Sequence, residues 1–207
     1  MTPSPSGGAS SIPLNNSTMS ALRAATASSH RRLEKRLSVT ERFGKLTGYR
    51  EHLERMWGFC SALEASLGAQ SFEGALPDYE ARRKLPLLAT DLAALGLSGS
   101  SISSLPRCRE MPEPSGPAFA LGCVYVLEGA TLGGRTLLPL VEERLGFNAD
   151  HGASYLASYG TDVAAMWRAF KAAVEACCCD ADRQASALRA AVLTFDVLAD
   201  WLCGNEK

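Results

Sequence analysis

Two groups of residues in this 207-residue chain have types and spacing that can do chemistry. One is His30, in LRAATASSHRRLEKRL. Helical spacing sets it beside Thr26, Leu33 and Leu37, so its imidazole borders an apolar stripe and can look inward. A neutral imidazole is a metal ligand. The other group is YVLEGATLGGRT, Tyr125 to Thr136, where Gly129, Gly133 and Gly134 interrupt an apolar, helix-forming stretch. Each glycine inside a helix costs about 1 kcal/mol relative to alanine. Three within six positions imply a close approach to the backbone or a bend. Gly129 and Gly133 share a face, so the missing side chains open a shallow trough. Close packing of two helices through small residues explains the same pattern equally well. Taken with His30, the trough suggests a flat, metal-containing ligand between two helices.

Other motifs are weaker. No strand precedes the glycines and no G-K-[ST] follows them, which excludes a dinucleotide fingerprint and a phosphate loop. His52 is expected on a charged helix face with Arg50, Glu51, Glu54 and Arg55, and His151 in a loop after Asp150. The seven cysteines include the run Cys177, Cys178, Cys179 and no C-x-x-C pair. That fits neither a disulfide framework nor a zinc site, so reduced thiols are expected. Hydrophobic residues make up 46% and charged residues 21%, an ordinary globular balance. A net charge of −1 gives no case for nucleic acid, and no run of about 20 apolar residues is expected to span a bilayer. The first residues lack a basic start and an apolar core, so a cytoplasmic location is expected.

The elements that position these residues read as helices throughout. Residues 1–17 are rich in Ser, Pro, Gly and Asn and are expected to be disordered; 18–207 form one domain. A helix begins near Met19. A second runs from about Thr47, as N-cap, to Leu67, stopped by Gly68, with Leu53, Met56, Trp57, Cys60, Leu63 and Leu67 inward. Residues 78–97 form a helical region capped by Asp78, interrupted at Pro86 and closed by Gly96. Residues 99–117, with four prolines, read as a loop ending at Ser115, a cap for the glycine-bearing helix, 117–145. Two last helices cover 154–176 and 182–203. No strand alternation stands out, so the fold class is all-α with six to seven helices.

LRAATASSHRRLEKRL followed by YVLEGATLGGRTL resembles haem oxygenase, most of all the bacterial enzymes that accompany bacteriophytochromes. The likeness covers roughly residues 19–203. It implies a single-domain bundle holding haem between a proximal and a kinked distal helix. His30 would be the axial iron ligand. Gly129, Gly133 and Gly134 would be the catalytic distal segment, whose backbone nears the ring and leaves room for dioxygen. Haem would be cofactor and substrate, opened to biliverdin with release of carbon monoxide and iron. An external reductant is implied, a ferredoxin or a reductase, and a bacteriophytochrome is a possible recipient of the bilin. Candidate propionate partners are Arg23, Tyr125, Arg135, Arg168 and Lys171. Glu34, four residues after His30, would orient the imidazole.

One position departs from the pattern. Many family members carry aspartate after the first glycine, anchoring distal water; here it is Ala130. Glu128 points elsewhere on the helix and is no clean substitute. Two alternatives follow: a haem-binding or sensing protein without turnover, favoured by Ala130, and a thiaminase-like helical hydrolase using Cys123.

Overall fold

The stripe through Leu22, Thr26 and Leu33 is the buried side of helix α1, Thr18–Leu37, in the computed structural model of the chain, which describes residues 17–37 and 39–204. The segment expected to be disordered lies outside the described residues, except for Ser17. A short α2, Val39–Phe43, precedes α3, Leu46–Ser66. α3 starts after Lys45, ahead of the expected cap at Thr47, and is closed by Leu67. Its buried side is wider than the stripe read from the sequence. Tyr49 and His52 join Leu53 and Met56 at spacing i, i+3, i+4, i+7. His52 is therefore buried, not displayed on a charged face; its charged neighbours in sequence fan out to either side of it.

Residues 78–97 are two helices, α4, Tyr79–Arg82, and α5, Leu85–Ala94. Pro86 sits in the first turn of α5, where a missing amide donor costs nothing. Asp78 makes no side-chain cap; its carboxylate accepts from Arg82 Nε and Nη2 at 2.9 and 2.7 Å. The expected loop at 99–117 contains α6, Gly99–Ser103, capped by Ser98. Helix α7, Pro117–Leu145, starts behind Gly116 instead of Ser115 and stops at Gly146, φ 75°. It carries the glycines, Pro139 and two threonines, Thr131 and Thr136, that bond back to their own helix, features that bend helices.

The expected helix at 154–176 is three pieces: α8, Ser154–Ala157, a 3-10 turn, Gly160–Asp162, and α9, Val163–Cys177. Ser158 (φ 46°) and Gly160 (φ 54°) leave the right-handed region and divide it. Helix α10, Ala181–Cys203, starts at Asp180, whose carboxylate accepts from Arg183 N at 2.8 Å. The all-α class stands, with ten α-helices and no strand among the described residues. The helix number exceeds six to seven because short connecting segments coil into turns of their own.

α7 and α10 form the most extensively packed pair. A Cβ on Gly122 of α7 would strike the Ala187 carbonyl oxygen and come within 2.8 Å of Ala190 Cβ. α1 also packs on α10. Ser29 Oγ and Arg32 Nη2 both donate to Asp196 Oδ1, at 3.1 and 2.8 Å, and the Thr18 and Met19 amides donate to Glu175 of α9 at 3.1 and 3.0 Å. By length and composition α7 is apolar enough to cross a membrane, yet 67% of its most apolar window is buried in this protein. That burial identifies it as the central helix of the core.

Candidate active site

α1 and α7 both rest on α10, and a cavity of about 660 Å³ lies between them. α1 contributes His30, Leu33, Glu34 and Leu37 to its wall; α7 contributes Tyr125, Gly129, Ala130, Gly133 and Gly134; Phe195, Leu198 and Leu202 of α10 form the floor. Such a volume and such apolar walls suit a small-molecule ligand. The His30 ring is tilted against Phe195, centroids 5.8 Å apart, and its Nδ1 lies 3.4 Å from Glu34 Oε2. With Nδ1 turned to that carboxylate, Nε2 is the nitrogen left for another partner.

The glycine cluster divides into two roles. A Cβ on Gly129 or Gly133 would meet nothing within 4 Å, so these two residues border open space. A Cβ on Gly134 would meet Leu156 of α8 at 3.4 Å, an ordinary contact, so this glycine lies against α8 without the packing there depending on it. Of the three glycines, Gly129 and Gly133 border open space and Gly134 lies against a neighbouring helix. The empty faces of Gly129 and Gly133, across from an imidazole, are a cradle that fits a flat macrocycle with a central metal.

Sequence reasoning missed His52, which lines this cavity. Burial, reinforced by the positive charge of Arg42, lowers its pKa to about 3, so the imidazole is neutral near pH 7. The i, i+3, i+4 pattern with Tyr49, Leu53 and Met56 was the available signal. Tyr155 of α8 also lines the cavity, and burial raises the pKa of its phenol well above the ordinary value.

The opposite side of α7 is ionic. Glu128, 2% exposed, accepts from Arg82 Nη1 at 3.0 Å and from the Tyr159 hydroxyl at 2.5 Å. Lys84 Nζ donates to Tyr159 Oη at 2.8 Å and Ser158 Oγ at 3.1 Å, and lies 3.9 Å from Glu128. Burial lowers the Lys84 pKa to about 8 against the pull of Glu128. Glu128 is absent from the cavity wall and cannot stand in for the missing aspartate there.

The predicted cations lie elsewhere. Arg23, Arg135, Arg168 and Lys171 do not line the cavity, and no Lys or Arg is among its lining residues. Arg135 Nη1 donates to the Gly160 carbonyl at 2.5 Å. Arg23 and Arg168 are exposed and Lys171 is half-buried. Cys123 is buried, and burial raises its pKa to about 11, the reverse of thiolate activation.

The family profile described as "Heme oxygenase" matches residues 16–203, and the chain belongs to the haem oxygenase family. No curated protein sequence matches it. Among solved structures it is similar to the haem oxygenase of Neisseria meningitidis, determined with NO and CO bound: TM-score 0.74, 23% identity, over 91% of this chain and 92% of that one. It is also similar to the haem oxygenase of Leptospira interrogans: TM-score 0.71, 16% identity, over 92% of this chain and 100% of that one. At these identities the likeness concerns the fold.

Proposed function

We propose that this protein is a biliverdin-forming haem oxygenase, with haem seated between His30 and the wall made by Gly129, Gly133 and Gly134. The observation that carries this reading is one cavity bounded by an imidazole on α1 and by two glycines on α7 whose missing side chains face open space. When bound, haem supplies the redox-active iron and the ring that dioxygen opens to biliverdin, carbon monoxide and free iron.

The chain's own residues hold, orient and shield. His30 would ligate iron through Nε2, with Glu34 accepting from Nδ1 and fixing the ring rotation. Gly129 and Gly133 leave bare backbone in the cavity wall, which would admit a flat ring. Leu33, Phe195 and Leu198 line the cavity and would exclude bulk water from bound haem. For the propionates, Tyr125 of the cavity wall would supply a hydroxyl, and Arg23, Arg168 and Lys171, which are not in that wall, would be the cationic partners. Arg135 is engaged by Gly160, which makes it the least available of the predicted set. Electrons would come from a separate ferredoxin or reductase, and the bilin would suit a bacteriophytochrome.

Adding haemin to the purified protein is expected to give a Soret band, and a reductant with air a verdin spectrum. His30→Ala is expected to abolish or strongly weaken the band. Protein that never binds haemin defeats the reading. Ala130 in the cavity wall favours one competitor, a haem-binding protein without turnover. A Soret band that survives prolonged aerobic reduction would select it.

A further inference from the structure

The run that carries the three glycines is bracketed by two charged side chains that lie outside the cavity wall. Glu128 stands one residue before Gly129, and Arg135 one residue after Gly134. Seven residues apart, they share one face of α7, and neither lines the cavity. Both are tied to the same short strap, residues 158–160, between α8 and α9. The Tyr159 hydroxyl donates to Glu128 Oε1 at 2.5 Å, and Arg135 Nη1 donates to the Gly160 carbonyl at 2.5 Å.

The strap has its footing on α5. Asp91 accepts from the Ser154 amide, the Ser154 hydroxyl and the Tyr155 amide, each at 2.8 Å. Lys84, the residue before α5, donates to Ser158 Oγ at 3.1 Å and to Tyr159 Oη at 2.8 Å. Ser158 is held at φ 46° and ψ −111°, a conformation that persists only where the surroundings impose it. A strap anchored in this way is a fixed reference for α7.

The segment between the two ties has need of one. Its glycines weaken the helix. A Cβ on Gly129 or Gly133 would find nothing within 4 Å, so packing from the cavity side does not fix the wall there. Restraint comes from α8 and the strap: Gly134 lies against Leu156, and a tie closes either end. Given the haem reading above, we propose that Tyr159 and Arg135 are positioning residues that hold the glycine segment at a set distance from α1. That distance sets how slowly haem leaves the space between His30 and the α7 wall. Glu128, buried with Arg82 and Lys84, carries stability; the ties carry position.

Amide hydrogen exchange in the haem-free protein is the first test. In Tyr159→Phe and in Arg135→Met, amides of residues 129–135 are expected to exchange about tenfold faster, as for the loss of one hydrogen bond to a charged group. Amides of α10 are expected to keep their wild-type rates. Arg135 is exposed, so its replacement leaves the fold intact, and Arg135→Lys, which keeps a donor, is expected to recover protection. Unchanged exchange at 129–135 in both variants, or equal acceleration through α10, overturns the proposal. The second test is haemin release to an excess of a haem-scavenging globin, expected to be about tenfold faster from Tyr159→Phe than from the wild type. Tyr159 does not line the cavity, so a lost contact with haem does not account for that change. A wild-type release rate in Tyr159→Phe overturns the proposal alone. Absence of a Soret band in the wild type overturns the haem reading and the proposal with it.

Discussion

The two sides of α7 follow opposite rules. Toward the cavity, Gly129, Ala130 and Gly133 present almost no side chain, and nothing in the protein packs against the first and last of them. On the other side, Glu128, one residue before the first glycine, is clasped by Arg82 and Tyr159 with Lys84 close behind. One side is kept vacant at a cost in helix stability; the other is densely bonded and fully buried. On the proposed haem reading, the contrast assigns stability to one side and ligand recognition to the other, and it can be broken from either.

The largest effect is expected on the ionic side. Glu128→Leu leaves Arg82 and Lys84 buried with a missing counter-charge, and should cost about 3–5 kcal/mol of unfolding free energy in denaturant titrations. A loss below about 1 kcal/mol would show that side to be dispensable. Gly133→Leu sharpens the other half. Haemin affinity should fall at least ~100-fold, about 2.7 kcal/mol, with stability changed by less than about 1 kcal/mol. Equal losses of binding and stability would erase the division.

His52, in the cavity wall, makes stability depend on pH. Its folded-state pKa is about 3 against an ordinary 6.5, so between those values the unfolded chain binds a proton that the folded chain does not. Stability therefore falls as pH drops through that window. His52→Leu should flatten this acid limb, read as a smaller difference in urea midpoint between about pH 4.5 and pH 7.5. The smallest effect should be Gly129→Ala, which adds a methyl facing open space and should raise stability by about 0.4–1 kcal/mol. A destabilised Gly129→Ala would mean that the backbone there needs glycine for its own sake.

Much of the fold was legible because the periodic signals were long. The stripes of α1, α3 and α10 and the apolar run of α7 each span several turns. Shorter pieces were not, since α4, α6 and α8 are single turns stabilised by tertiary contacts, such as Tyr155 N on Asp91 at 2.8 Å. The glycines signalled a special surface, but only the neighbours of each one separate Gly134, against Leu156, from Gly129 and Gly133. The partners of Glu128 lie 46 and 31 residues away, beyond any local pattern. His52 was readable by spacing, and its charged neighbours masked it.

The open space beside Gly129 and Gly133 sets robustness and binding against each other as selected traits. A library sorted for thermal tolerance alone would accumulate alanine at both positions, since each substitution strengthens the helix and collides with nothing in the empty protein. The winners of that sorting would be enriched in chains whose cradle has been filled. Persistence of glycine at these two sites under drift would be the mark of selection for an occupied cavity.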